Sequence, residues 1–220
     1  MPRTGERGGP QTRARISEVA TRLFLERGFD VVTVAEVARE AGVSSVTVFK
    51  HFPRKEDLLL DRSDDAHHLL RAAVQDRAPG TDVQTSLREM AFGLLQARHA
   101  LSGLDERSVP FLRTVESSPA LVARAREIAA DLQRTLTEEL DRDPTFDSNG
   151  PLLAAFFIAG YSTLLVHNAR HLLAGELSST LEDGHRARLA ELFEALSSGV
   201  LRDNGGQGVR GPARRSEGPV

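Results

Sequence analysis

The sequence predicts an all-α protein of about nine helices, in which an N-terminal three-helix unit precedes a larger C-terminal helical domain. Three observations carry that expectation. Apolar residues recur at helical spacing through nearly every structured segment, and none alternates with the period of two that a half-buried strand requires. Hydroxyl residues suited to N-capping, Thr12, Thr33 and Ser44, stand before the first three periodic segments. Glycine and proline punctuate the chain at Gly28, Gly42, Pro53 and Pro79-Gly80.

The elements follow in order. Ile16, Val19, Ala20, Leu23 and Phe24 fall on one face, which predicts a first helix from about Arg13 to Arg27, capped by Thr12 and closed by Gly28. Thr33 followed by Glu36 is a capping-box pattern, and Val32 and Val37 hold hydrophobic-staple positions, so a second helix starts at Val34. It ends at "AGVS", where Gly42 can take positive φ and Ser44 can cap a third helix, with Val43 and Val48 as its staple. Two helices joined by three or four residues make a helix-turn-helix.

Pro53 stops the third helix, and "RKEDLLLDRSDDAHHLLRAAVQDR" reads as one long fourth helix with a polar outer face. Four more long helices are expected, in "TDVQTSLREMAFGLLQARHAL", "SPALVARAREIAADLQRTLTEELDR", "GPLLAAFFIAGYSTLLVHNARHLLAG" and "HRARLAELFEALSSGVL". A shorter piece, "DERSVPFLRTVES", is bent or broken by Pro110. Residues 151–175 are the most hydrophobic, with Arg170 as the one charge, and are expected to be buried in the domain or against another subunit. The domain reading is a flexible arm over 1–11, the helix-turn-helix domain over 12–53, the larger helical domain over 54–202, and a disordered Gly-, Pro- and Arg-rich tail over 203–220.

Composition narrows the functions available. The 220 residues suit two unequal domains, and the absence of cysteine excludes disulfides and thiol catalysis. No unbroken apolar run approaches the roughly 20 residues of a membrane span, and the start has no hydrophobic stretch resembling a signal peptide. A cytoplasmic protein with no membrane partner is the expectation. The net charge of −3 hides an asymmetry: residues 1–62 hold 11 Lys/Arg against 9 Asp/Glu, and residues 63–220 hold 17 against 22. A nucleic-acid footprint therefore belongs near the N-terminus, where the chain's two lysines, Lys50 and Lys55, also lie.

The second helix of such a motif fits the major groove with its N-terminal residues nearest the bases. Here it begins "SSVTVFKHF". Ser44, Ser45 and Thr47 can bond base edges or phosphates, Lys50 and His51 can reach backbone phosphates, and Val46 or Val48 can touch a thymine methyl, although Val48 also suits the staple. Helix hairpins with glycine in the turn also occur in purely structural bundles.

The block "RISEVATRLFLERGFDVVTVAEVAREAGVSSVTVFKHFPRKEDLL" resembles the DNA-binding domain of the TetR family of transcriptional regulators. The resemblance covers Thr12 to about Leu60, and it implies that the remaining helices form a ligand-binding and dimerisation domain of variable sequence. It implies that Thr33 contacts phosphate, that Ser44, Ser45 and Thr47 face the groove, that Lys50 and His51 hold the backbone, and that Lys55 meets a further phosphate. Two departures stand out. Phe49 replaces a frequent tyrosine and is expected to pack, and Arg54 replaces a Ser or Thr cap, so that the fourth helix starts less tightly or gains an arginine–phosphate contact. Arg3, Arg7, Arg13 and Arg15 give the N-terminal arm charge to reach along DNA, although a solubilising tail explains them as well.

Two copies related by a two-fold axis read two half-sites, so a homodimer on a palindromic operator is expected. Its interface is sought on the last two long helices, at Leu164, His167, His171, Leu189, Leu192, Phe193 and Leu196, although monomer core explains apolar stripes equally. The resemblance further implies a small-molecule effector between the C-terminal helices that shifts the fourth helix, most simply to release a repressor. Lining candidates are Phe92, Leu95, Gln96, His99, Phe111, Arg113, Phe156, Tyr161 and Asn168, and the apolar run over 151–166 favours a hydrophobic effector. His167 and His171 have metal-ligand spacing, but no acidic residue lies within that turn, and no metal or cofactor is expected. An enzyme using the C-terminal pocket is the alternative from another class. Residues 63–220 contain no phosphate loop, nucleophile elbow or zinc-protease motif to support it. A constitutive or partner-controlled DNA-binding protein is the third reading.

Overall fold

The computed structural model describes residues 9–199, so the expected tail and all but the last three residues of the expected arm lie outside the described residues. Nine α-helices and three short 3-10 turns are formed among the described residues, with no strand. The helices are α1 (Gly9–Arg27), α2 (Val34–Glu40), α3 (Ser45–His51), α4 (Ser63–Gln75), α5 (Val83–Gln96), α6 (Val109–Ser117), α7 (Pro119–Arg142), α8 (Gly150–Leu173) and α9 (Ser178–Gly199).

Local signals place the first three helices. Thr33 and Glu36 form the full capping box, and the Ser44 hydroxyl accepts from the Thr47 amide. Gly28 and Gly42 take φ of 88° and 65°, the left-handed conformation that closes a helix without a Cβ penalty. Val32, Val37, Val48, Phe24 and Ile16 meet in one buried cluster. The first helix nevertheless already includes Gly9, ahead of the expected start at Arg13. Thr12 is accordingly inside the helix and is not its cap.

The expected long fourth helix is two pieces. A 3-10 turn over Glu56–Leu58 and a further turn precede α4. The break lets the consecutive Leu58 and Leu59 both bury in the α1–α3 core, with Leu60 packed beside them, which one helical face cannot do. The remaining contacts to that core come from Phe111 and Val115 of α6 and from Leu121 of α7, the last wholly buried. Polar pairs flank this joint: Arg124 to Asp57 at 2.8 Å, Ser118 to Asp30 at 3.1 Å, and Arg13 to Asp64 at 3.1 Å.

In the C-terminal domain α8 packs against α6, α7 and α9, while α4 lies on α5 and α7. The short piece around Pro110 is divided into a 3-10 turn over Glu106–Ser108 and α6, whose first turn holds Pro110. α9 starts at Ser178, well before the expected His185, and buries Leu181 in the added turns and His185 behind them. Contrary to the unbroken-run expectation, α8 is long and apolar enough by composition to cross a membrane. Its inward residues, among them Leu153, Phe157, Ile158 and Leu164, form the centre of the domain core.

Leu121→Ala removes an α7 side chain from the core of the N-terminal unit. It is expected to cost about 2–5 kcal/mol in denaturant unfolding, and a loss below about 1 kcal/mol would show that α7 does not hold that unit.

Candidate nucleic-acid interface and effector cavity

α3 is seven residues long and packs through Val48 and, at its end, Phe52, both about 1% exposed. Val48 is therefore core and is removed from the DNA-facing set. The opposite face carries Val46, 79% exposed, and Lys50, with Phe49, 50% exposed, at its side. Phe49 does not pack as expected: Val48 and Phe52 already occupy the inward positions, and Phe49 stands between the inward and outward directions of a short helix.

The hydroxyls are largely committed to the fold. Ser44 Oγ caps the Thr47 amide at 3.1 Å and lies 2.9 Å from Thr47 Oγ1. Thr33 Oγ1 accepts from the Glu36 amide at 3.2 Å and donates to Glu36 Oε2 at 2.9 Å. Ser45 and His51 are half-buried, whereas Lys50 is exposed and forms no ion pair among the described residues. Lys55 donates to the Phe29 carbonyl at 2.6 Å and sits over the Phe29 ring at 4.3 Å, and burial lowers its pKa. Arg54 reaches Glu127 of α7 at 2.5 Å, so its guanidinium joins the two domains. Arg13 likewise belongs to the joint, stacked 4.3 Å over Phe52.

Glu36 anchors the motif. The Thr33 backbone amide, the Arg27 guanidinium and the Thr33 hydroxyl all bond its carboxylate, holding its pKa at about 2 against an ordinary 4.5. A depressed carboxylate stabilises the fold above its ordinary pKa and loses that contribution as pH falls through the folded value.

Between α4, α5, α7 and α8 lies a cavity of about 110 Å³ lined by Ala66, Leu69 and Leu70 of α4, Met90 and Leu94 of α5, Leu132 of α7, and Phe157, Ile158, Tyr161, Ser162 and Leu165 of α8, with Leu101 from the connecting turn. None of these side chains is charged. The Tyr161 hydroxyl donates to the Leu101 carbonyl at 3.0 Å, and burial pushes its pKa up to about 12. Two wider clefts, lined mostly by polar and charged residues, hold pairs such as Arg13–Asp64 and Arg77–Asp143.

Of the nine lining candidates read from sequence, Tyr161 reaches the cavity. Leu95 is core, Phe92 packs beside that core under Arg88, and Phe111 belongs to the N-terminal cluster. Gln96 and Arg113 are at the surface, and His99 accepts from the Leu101 amide. Asn168 is fully buried with its amide on the Ser102 carbonyl and His185 Nδ1. Phe156 points outward, 54% exposed. The leucines that line the cavity carried no sequence signal distinct from core periodicity.

The expected dimer residues are corrected in the same way. Leu164, Leu189, Phe193 and Leu196 are buried within the protomer, and Leu192 packs so closely on Gly160 that an added Cβ there would clash with it. Periodicity marks the buried face, and the protomer core uses that face. His171 bonds Glu176 at 2.5 Å, and its ring lies 4.2 Å from that of the half-buried His167, with no third metal-ligating side chain grouped with them among the described residues. The outward stripe of α8 is instead Leu152, Phe156, Ala159, Thr163 and Val166.

Residues 16–61, which span the capped helix-turn-helix and the turn behind it, match the bacterial regulatory proteins of the tetR family. The N-terminal domain belongs to the TetR family. The HTH-type transcriptional regulator TtgR of Pseudomonas putida is 39% identical over 77 residues, 33% of this chain and 37% of that relative. The chain thus matches little more than a third of that relative's length. Among solved structures, native NalD of Pseudomonas aeruginosa, a repressor, is 20% identical over 90% of this chain and all of that one, with a TM-score of 0.52. Thermus thermophilus FadR, a TetR-family repressor in complex with lauroyl-CoA, is 22% identical over 94% of this chain and 99% of that one, with a TM-score of 0.51. These two extend the TetR-type fold across the C-terminal helices.

Two outcomes are expected of the TetR domain. Glu36→Gln should narrow its stability gap to the wild type as pH falls from about 4.5 to about 2 in acid denaturation, the window set by the Glu36 shift. A gap independent of pH would show that the carboxylate charge contributes nothing. Lys50→Ala should weaken binding to every duplex and reduce the slope of log K against log salt by about 0.9, as read by fluorescence anisotropy. An unchanged slope would remove Lys50 from the phosphate contacts.

Proposed function

We propose that the protein is a homodimeric, cytoplasmic transcriptional repressor that leaves a palindromic operator when a small apolar molecule enters the C-terminal cavity. The observation that carries this reading is the position of α4. Three of its side chains line the cavity, while Asp64 at its start and Asp61 in the turn before it are tied to α1 through Arg13 and Ser17. A ligand that displaces α4 therefore acts on the element that orients α3. Binding one conformation better than the other is the thermodynamic requirement for such a switch.

The exposed α8 stripe supports a dimer. Leu152, Phe156 and Val166 are 41%, 54% and 50% exposed, and a second copy related by a two-fold axis covers them by placing the same stripe opposite. The two α3 helices are then related by the same axis, as a palindrome requires. The similarity to NalD and FadR, both repressors, and the lauroyl-CoA bound by FadR support the sign of regulation and a response to a ligand. An apolar lining without paired carboxylates or an activated nucleophile supports binding over turnover.

The test is anisotropy of the purified protein against the duplex flanking its own gene, with a shuffled duplex as control, across a range of salt. Selective binding that weakens with salt is expected, and equal weak binding to both duplexes counts against the reading. Phe156→Glu places two like charges at the proposed two-fold contact and should give a monomer by light scattering with at least tenfold weaker operator binding, about 1.4 kcal/mol or more. A variant that remains dimeric would move the interface elsewhere.

A further inference from the structure

Two large apolar side chains stand exposed on a seven-residue helix whose inward face is already well packed. Val46 and Phe49 are three residues apart and therefore on one side of α3, with Lys50 beside them. With Lys50 they are the exposed side chains within α3, where Ser45, Thr47 and His51 are half-buried. Ser44 and Thr47 bond each other and cap α3, and Thr33 is held in its capping box with Glu36. The protomer leaves most of Val46 and half of Phe49 uncovered, at 79% and 50% exposure, while Lys50 next to them has no acidic partner among the described residues.

The major groove offers one apolar group on its base edges, the thymine 5-methyl. Positions three apart on a helix are separated by about 4.5 Å along its axis, close to the rise of about 3.4 Å per base along one strand. Resting on the DNA-binding reading above, we infer that Val46 and Phe49 read thymine methyl groups on neighbouring base pairs in each half-site, so that sequence preference is carried by apolar contact and Lys50 supplies sequence-independent phosphate attraction. The hydroxyls set the helix in place and are not the principal readers. Phe49 differs from a phosphate-bonding tyrosine in kind, since its ring offers contact area without a hydrogen bond.

The experiment selects duplexes from a randomised library with the full chain, then remeasures the selected duplex with each thymine replaced singly by deoxyuridine, which deletes only the methyl. Two neighbouring thymines per half-site should each lose about fourfold in affinity, the value of one buried methyl-sized group. In Phe49→Ala or Val46→Ala one of those losses should disappear, because the partner of that methyl is gone. Both side chains are exposed, so a circular dichroism melt matching the wild type identifies a folded variant. A selected consensus indifferent to every deoxyuridine overturns the inference and leaves DNA recognition standing. Deoxyuridine losses that persist unchanged in both alanine variants also overturn it, by assigning the methyl contacts to other residues. Failure to select any consensus overturns the DNA-recognition reading itself, and the inference with it.

Discussion

The structure depends on the burial of Leu58 and Leu59, from the turn before α4, and of Leu121, from the distant α7, in the core of the three-helix unit. A three-helix unit of about forty residues buries little apolar surface on its own, and side chains from the following turn and from α7 complete it. The ion pairs around this joint, Arg124–Asp57, Arg54–Glu127 and Arg13–Asp64, involve partly exposed groups and are worth little individually, about 0–1 kcal/mol each. Their effect is directional: they fix how the unit sits on α7 and α4. The orientation of α3 is thus set in part by the C-terminal domain.

α8 gathers three tasks on one helix. One side forms the domain core through Leu153, Phe157 and Leu164, a second lines the cavity through Ile158, Tyr161 and Leu165, and a third leaves Leu152, Phe156 and Val166 in solvent. A helix with apolar residues on all sides has little amphipathic contrast, which is why its length and composition alone would suit a membrane span. Gly160 lets α9 approach closely enough for Leu192 to lie against the α8 backbone, and that contact holds the two helices as one surface.

In the helix-turn-helix, capping and recognition compete for the same short polar side chains. A hydroxyl that accepts from an N3 amide satisfies a donor the helix cannot otherwise pair, worth about 1 kcal/mol in a small domain. Thr33 and Ser44 are used in that way, and the Ser44–Thr47 contact uses a third hydroxyl. The exposed side chains that remain within α3 are apolar and cationic, Val46, Phe49 and Lys50.

Local chemistry in the sequence determined the all-helical class, the capped α2–α3 hinge and its staples, and the N-terminal place of the helix-turn-helix. Capping boxes, positive-φ glycines and 3.6-residue periodicity act within one or two turns, so Thr33, Gly42 and Ser44 declare their roles without tertiary context. Only the tertiary structure decided which apolar residues are core, cavity or surface. Leu94, Leu95 and Phe156 look alike in periodicity, yet one lines the cavity, one is packed and one is outward. The break before α4 and the placement of Lys55, Arg54 and Phe49 were settled there as well. The physical reason is that hydrophobicity records a preference for leaving water and carries no record of the partner, and the partner exists only when distant helices have packed.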